Sequence, residues 1–212
     1  MKTEGITPQL QKYIEEEILP RYQKFDKAHD TRHATTVIEQ SLQLATHYNV
    51  DRNMVYTIAA FHDTGLCEGR EEHHTASAHI VRADTFLKTI FTAEQINTMA
   101  DAVEDHRASN KQPPRTIYGK IVAEADRLID GETIMRRTIQ YSLAHYPEKN
   151  RQEHCERACH HLHEKYGYEG YLRLWIPESP NAQRLQELRA TIADKEKLLA
   201  LFNRIFDKEK NL

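Results

Sequence analysis

The 212-residue chain is 39% hydrophobic and 29% charged, a balance that excludes both a disordered tail and a membrane-embedded protein. Its 29 basic and 32 acidic residues give a net charge of −3, which offers no wholesale basic surface to nucleic acid. Three cysteines argue against a disulfide framework and seven glycines against phosphate-cradling loops, while 13 histidines are the outlier.

No stretch reaches the ~20 apolar residues of a membrane span, and the opening MKTEGITPQL lacks a basic-then-apolar signal pattern. A cytoplasmic location with no membrane partner is therefore expected. Helical spacing dominates the chain, and period-two alternation is missing. Thr7-Pro8 opens a helix over about 7–19, carrying Leu10, Tyr13, Ile14 and Ile18, and Pro20 ends it. A second helix is predicted over about 30–48, and a third from the cap Asp51 to the pair His62-Asp63. Gly65 and Gly69 then break the chain into a polar loop, followed by a fourth helix over about 74–89. Thr92 and Gln95 make a capping box for a fifth, ending near His106. Beyond the loop 109–114, helix is predicted from Ile117 through Asp126 and on to Tyr146, then over 148–166 and 181–208.

The last helix carries Leu185, Leu188, Ile192, Leu199, Phe202 and Phe206 on one stripe, read as packed core or alternatively as a homodimer seam. The predicted fold class is all-α: a single-domain helical bundle with a long C-terminal helix. Its expected parts are an N-terminal helix over 1–24, a core over 25–146, and C-terminal helices over 147–212 packing on that core.

Ionisable residues recur in or beside apolar runs, where burial is costly unless they are paired or bound to metal. They are His33 at a helix start, the pair His62-Asp63 after Ile58-Ala59-Ala60-Phe61, and Asp126 within Ile121–Leu128. Imidazole nitrogen with carboxylate oxygen suits Mn, Fe, Co, Ni or Zn ahead of Mg.

These motifs resemble those of the HD-domain metal-dependent phosphohydrolases. Ala59-Ala60-Phe61-His62-Asp63-Thr64-Gly65 is similar to the family's apolar-His-Asp-[Ile/Leu/Thr]-Gly segment, and Ala125-Asp126-Arg127-Leu128 to its closing segment. The resemblance covers about residues 25–135. It implies that His33, His62, Asp63 and Asp126 meet around a divalent transition metal in a helical bundle. Members with two ions insert two further histidines in this order, here His74 and His106, with His73 as the alternative to His74. One or two ions per chain are implied, with Asp63 bridging in the two-ion case.

The implied activity is hydrolysis of a phosphate ester or anhydride by metal-bound hydroxide, with Asp63 accepting the water's proton. The implied substrate is a nucleotide or related small phosphorylated molecule. Arg107 and Lys120, with Lys111, Arg115 and Arg127, are cations beside the motifs suited to holding phosphate oxygens. The same ligand order also fits di-iron HD proteins that oxidise carbon substrates with dioxygen, and a third reading is a non-catalytic metal- or nucleotide-binding module. Glu68, Glu71 and Glu72 occupy the loop where some relatives carry an assisting acid, but Leu66 stands where one subfamily places its glutamate. A rival cluster, Cys155, Cys159 and His163, shares one helical face but lacks a fourth zinc ligand, so it reads as a partly buried cysteine face.

Overall fold

The computed structural model describes residues 4–25 and 29–210, and among these every regular element is helical. The helices are α1 (Pro8–Tyr13), α2 (Thr31–Leu44), α3 (Arg52–Phe61), α4 (His73–Ala83), α5 (Leu87–Ile90), α6 (Ala93–Asp105), α7 (Ile117–Asp126), α8 (Gly131–His145), α9 (Arg151–Tyr166), α10 (Asn181–Ala193) and α11 (Lys195–Lys210). None is long and apolar enough to cross a membrane.

The cap residues read from the sequence begin the helices they were expected to begin. Asp51 accepts from the Asn53 N–H, and Thr92 and Gln95 form a reciprocal capping box; Asp30, which the sequence reading gave only as a helix start, accepts from the His33 N–H. Three predicted helices are each broken in two, each time at an aspartate: the one over 74–89 is α4 and α5, with Asp84 Oδ1 accepting the Leu87 N–H at 2.9 Å. The run from Ile117 to Tyr146 stops at Arg127, and Asp130 restarts it by accepting from the Thr133 N–H at 2.7 Å. The long C-terminal helix expected over 181–208 is α10 and α11, broken at Asp194, whose Oδ1 accepts from Glu196 and Lys197 N–H. An aspartate side chain that satisfies the next helix's first donors competes with helix continuation, whatever the apolar period around it. On α11 the buried positions are Leu198, Phe202, Ile205 and Phe206, with Leu199 only partly covered. The N-terminal helix is likewise short: α1 passes into a π-turn over Ile14–Ile18 and a tightened turn over Leu19–Lys24.

By its contacts the chain forms two compact units. The first is Met1–Arg127 with Trp175–Ser179, and the second is Leu128–Leu174 with Pro180–Leu212. The first division between the units falls after Arg127.

In the first unit α3 is central: every residue from Met54 to Phe61 is buried. It packs against α2, α6 and α7, and α4 packs on α6. In the second unit α8 packs against α9 and α11, and α9 against α10. The strap Trp175–Ser179 is tied into the first unit by Glu124, a carboxylate with no solvent exposure that accepts the Trp175 N–H at 2.7 Å, and by Tyr48, which donates to Glu178 at 2.5 Å.

Glu124→Ala removes the acceptor of a shielded N–H, a loss of about 1–3 kcal/mol. Trp175 is the sole tryptophan, so its emission reports on the strap. The urea midpoint is expected to fall and the emission to shift to the red; an unchanged midpoint and spectrum would contradict this role.

Candidate metal centre

Six ionisable side chains meet where five helices begin or end. His33 is the third residue of α2, His62 and Asp63 follow the last residue of α3, His73 opens α4, His106 follows α6, and Asp126 ends α7. At a helix C-terminus the last carbonyls lack their intrahelical partners and accept other donors. Here the donors are imidazoles. His62 Nδ1 donates to the Ala59 carbonyl at 2.8 Å and His106 Nδ1 to Val103 at 2.6 Å. His73 Nδ1 makes the same bond to Arg70 in the preceding loop, at 2.8 Å. An imidazole that donates from Nδ1 presents an Nε2 lone pair on its opposite edge.

Those Nε2 atoms converge on Asp63. On one side Asp63 Oδ2 lies 3.1 Å from His62 Nε2 and 3.5 Å from His33 Nε2. Asp126 Oδ1 adds to this set at 3.2 Å from His33 Nε2 and 3.8 Å from His62 Nε2. On the other side Asp63 Oδ1 lies 3.4 Å from His106 Nε2 and 3.5 Å from His73 Nε2. The facing nitrogens are close within each pair: 3.2 Å for His33 and His62, 3.3 Å for His73 and His106.

Two lone pairs at such a distance repel unless a proton or a cation lies between them. Among the described residues, the groups of three or more side chains able to hold a metal ion are His33, His62 and Asp63, and Asp63, His73 and His106. Their nitrogen and oxygen donors fit a borderline transition ion. Four of the six side chains are 5% exposed or less, against 13% for His73 and 23% for Asp126, so the centre opens to solvent at these last two.

The charges interlock accordingly. Burial opposes a charged His33, but its hydrogen bonds to Asp126 and Asp63 prevail and push it up to about 9. His106, under the same opposition, is raised by Asp63. Burial also disfavours the Asp63 carboxylate, yet the surrounding histidines hold it well below the usual range, and His33 does the same for Asp126. His73 goes the other way, pushed down to about 4 by burial and by the neighbouring His106.

The second set contains His73 and not His74, which the sequence reading had ranked first. Successive helical residues point about 100° apart, so only one of two adjacent histidines can face Asp63. Gly65 sets which one. A Cβ there would overlap the His73 carbonyl and the Ser77 amide, and the Gly65 N–H donates to Ser77 Oγ at 2.8 Å. This seats the first turn of α4 against the His62-Asp63 turn, a signal the sequence carries in Gly65 and the small residues Ala76-Ser77-Ala78. His74 lies beside the centre with its Nδ1 buried and unpartnered, its ring 5.6 Å from that of His73.

The expected cations are mostly engaged elsewhere. Arg115 pairs with Glu104 and Asp105, and Arg127 turns back to the Ala123 carbonyl of its own helix. Lys120 lies six residues before Asp126, roughly 240° round α7 from it. Arg107 follows His106 and donates to the Glu71 carbonyl at 2.6 Å, next to the centre's His73 side. The rival cluster does not assemble: Cys155 and Cys159 Sγ are 3.9 Å apart, while His163 is exposed.

Residues 31–130 match the family model of the HD domain. This segment is an HD domain. The match spans His33 to Asp126 and agrees with the resemblance to metal-dependent phosphohydrolases read from the motifs. No curated protein and no solved structure matches the chain.

With His33 raised to about 9, the ion-free protein holds a proton there at pH 7, and an ion at Nε2 must displace it. Affinity for Mn²⁺ is therefore expected to fall as pH is lowered from 9 to 6, roughly tenfold per unit for each proton displaced. Calorimetry in buffers of different ionisation enthalpy reads the release directly. A flat affinity across that window would contradict the assignment.

Proposed function

We propose that this chain hydrolyses a phosphate ester or anhydride, of a nucleotide or a related small molecule, at a two-ion centre. The observation that carries the reading is the two-sided use of Asp63, Oδ2 toward His33 and His62 and Oδ1 toward His73 and His106. In this reading His33, His62, Asp63 and Asp126 hold one ion, and Asp63, His73 and His106 the other. Divalent Mn, Fe, Co, Ni or Zn in such a site lowers the pKa of coordinated water toward ~7 and neutralises charge on phosphate oxygens.

The protein's own groups do the rest. The carbonyls of Ala59, Arg70 and Val103 hold three imidazoles in the tautomer that presents Nε2. His62 and His106, almost without exposure, close the floor to bulk water, and the edge at Asp126 and His73 admits the substrate. Arg107, anchored by Glu71, is the cation we assign to the phosphate, where a guanidinium binds oxygens in bidentate fashion. The nucleotide class rests on the motif resemblance.

The test is phosphate release from nucleotides and simple phosphoesters by protein loaded in turn with each of these ions. Asp63→Ala should abolish turnover and ion binding together. His106→Ala should reduce bound ions from two per chain to one, and Arg107→Ala should mainly raise KM, by about tenfold. Unchanged ion stoichiometry in His106→Ala would refute the two-ion reading. Dioxygen uptake by iron-loaded protein, with no phosphate released from any substrate, would replace hydrolysis by oxidation.

A further inference from the structure

The carboxylate at the middle of the centre follows a helix end, where backbone position is least constrained. α3 stops at Phe61, and the Ala59 carbonyl is taken up by the His62 ring. Into this turn reaches a hydroxyl from 41 residues earlier in the chain, outside the matched segment 31–130. Tyr22 Oη donates to the Ala60 carbonyl at 2.9 Å and accepts the Asp63 N–H at 3.3 Å. The side chain has no solvent exposure, and its ring packs edge-on against Phe25, 5.4 Å between centroids. The segment that carries it is held by Leu10, Ile14 and Ile18, none of them exposed.

We propose that Tyr22 is a positioning residue for Asp63: by bridging the last turn of α3 to the Asp63 amide, its hydroxyl fixes the carboxylate between the two histidine sets. Without it, a buried carbonyl and a buried N–H both lose a partner, and among the described residues Asp63 keeps only the Leu66 N–H on its carbonyl as a backbone tether. Groups that orient ligands in this way are commonly worth about 10- to 100-fold in metal affinity. Burial is the main cause that raises the Tyr22 phenol well above its ordinary pKa, so the bridge is a neutral hydroxyl at physiological pH.

The inference rests on the reading of Asp63 as an ion ligand, and its test reads ion affinity separately from turnover. In the full chain, Tyr22→Phe should keep the helical circular-dichroism spectrum and bind Mn²⁺ about 10- to 100-fold more weakly by calorimetry. Phe25→Leu is the control: it trims the packed ring, leaves the hydroxyl, and should lower Tm with wild-type Mn²⁺ affinity. Wild-type affinity in Tyr22→Phe, or an equal loss in Phe25→Leu, would overturn the proposal. Should Tyr22→Phe fail to fold, 3,5-difluorotyrosine at position 22 keeps the shape and weakens the acceptor. It should then show a smaller but measurable loss, and no loss would again overturn the proposal. Wild-type protein that binds Mn²⁺ yet releases no phosphate would defeat the hydrolase reading alone.

Discussion

The centre depends on one constraint: imidazoles at helix ends spend their Nδ1 protons on backbone carbonyls. Two carbonyls in last helical turns, Ala59 and Val103, and one in a loop, Arg70, take these protons. Each bond fixes both a ring orientation and a tautomer, so the Nε2 atoms are aimed before any ligand arrives. Because α3 and α6 both end here, their negative dipole ends also favour positive charge at this point. The cost is a set of nitrogens held 3.2 to 3.3 Å apart, an arrangement that only a proton or a cation relieves.

Asp63 resolves the repulsion on both sides at once. Its two oxygens face different histidine pairs, and those histidines keep it anionic although it is almost fully buried. Asp126 contributes to one pair only and stands at the exposed edge. The centre is thus asymmetric in both charge and access. One half holds two carboxylates and a histidine raised to about 9; the other shares one carboxylate and includes a histidine lowered to about 4.

Much of this was legible in the amino-acid sequence because the burial of charge is conspicuous. A histidine-aspartate pair at the end of Ile58-Ala59-Ala60-Phe61, and an aspartate inside Ile121–Leu128, are hard to read as surface residues. His106 was implied by the order of histidines in the two-ion members of the resembled family. The choice between His73 and His74 turns on a 100° rotation set by the packing of α4 on Gly65, which motif order does not report although Gly65 and Ala76-Ser77-Ala78 mark the close approach. Apolar periodicity carried the helices but hid the breaks at Asp84, Asp130 and Asp194, where an aspartate side chain that takes up backbone donors outcompetes a continuing stripe. Arg115, Arg127 and Lys120 clustered in the sequence, yet ion pairs, a turn back onto the helix and helical phase direct them elsewhere.

Anomalous diffraction from manganese-loaded crystals would place any ions held on the two sides of Asp63. Two manganese peaks are expected, one against Asp63 Oδ2 with His33, His62 and Asp126, and one against Asp63 Oδ1 with His73 and His106. A single peak confined to one side of Asp63, or manganese bound away from these six residues, would contradict the two-ion reading.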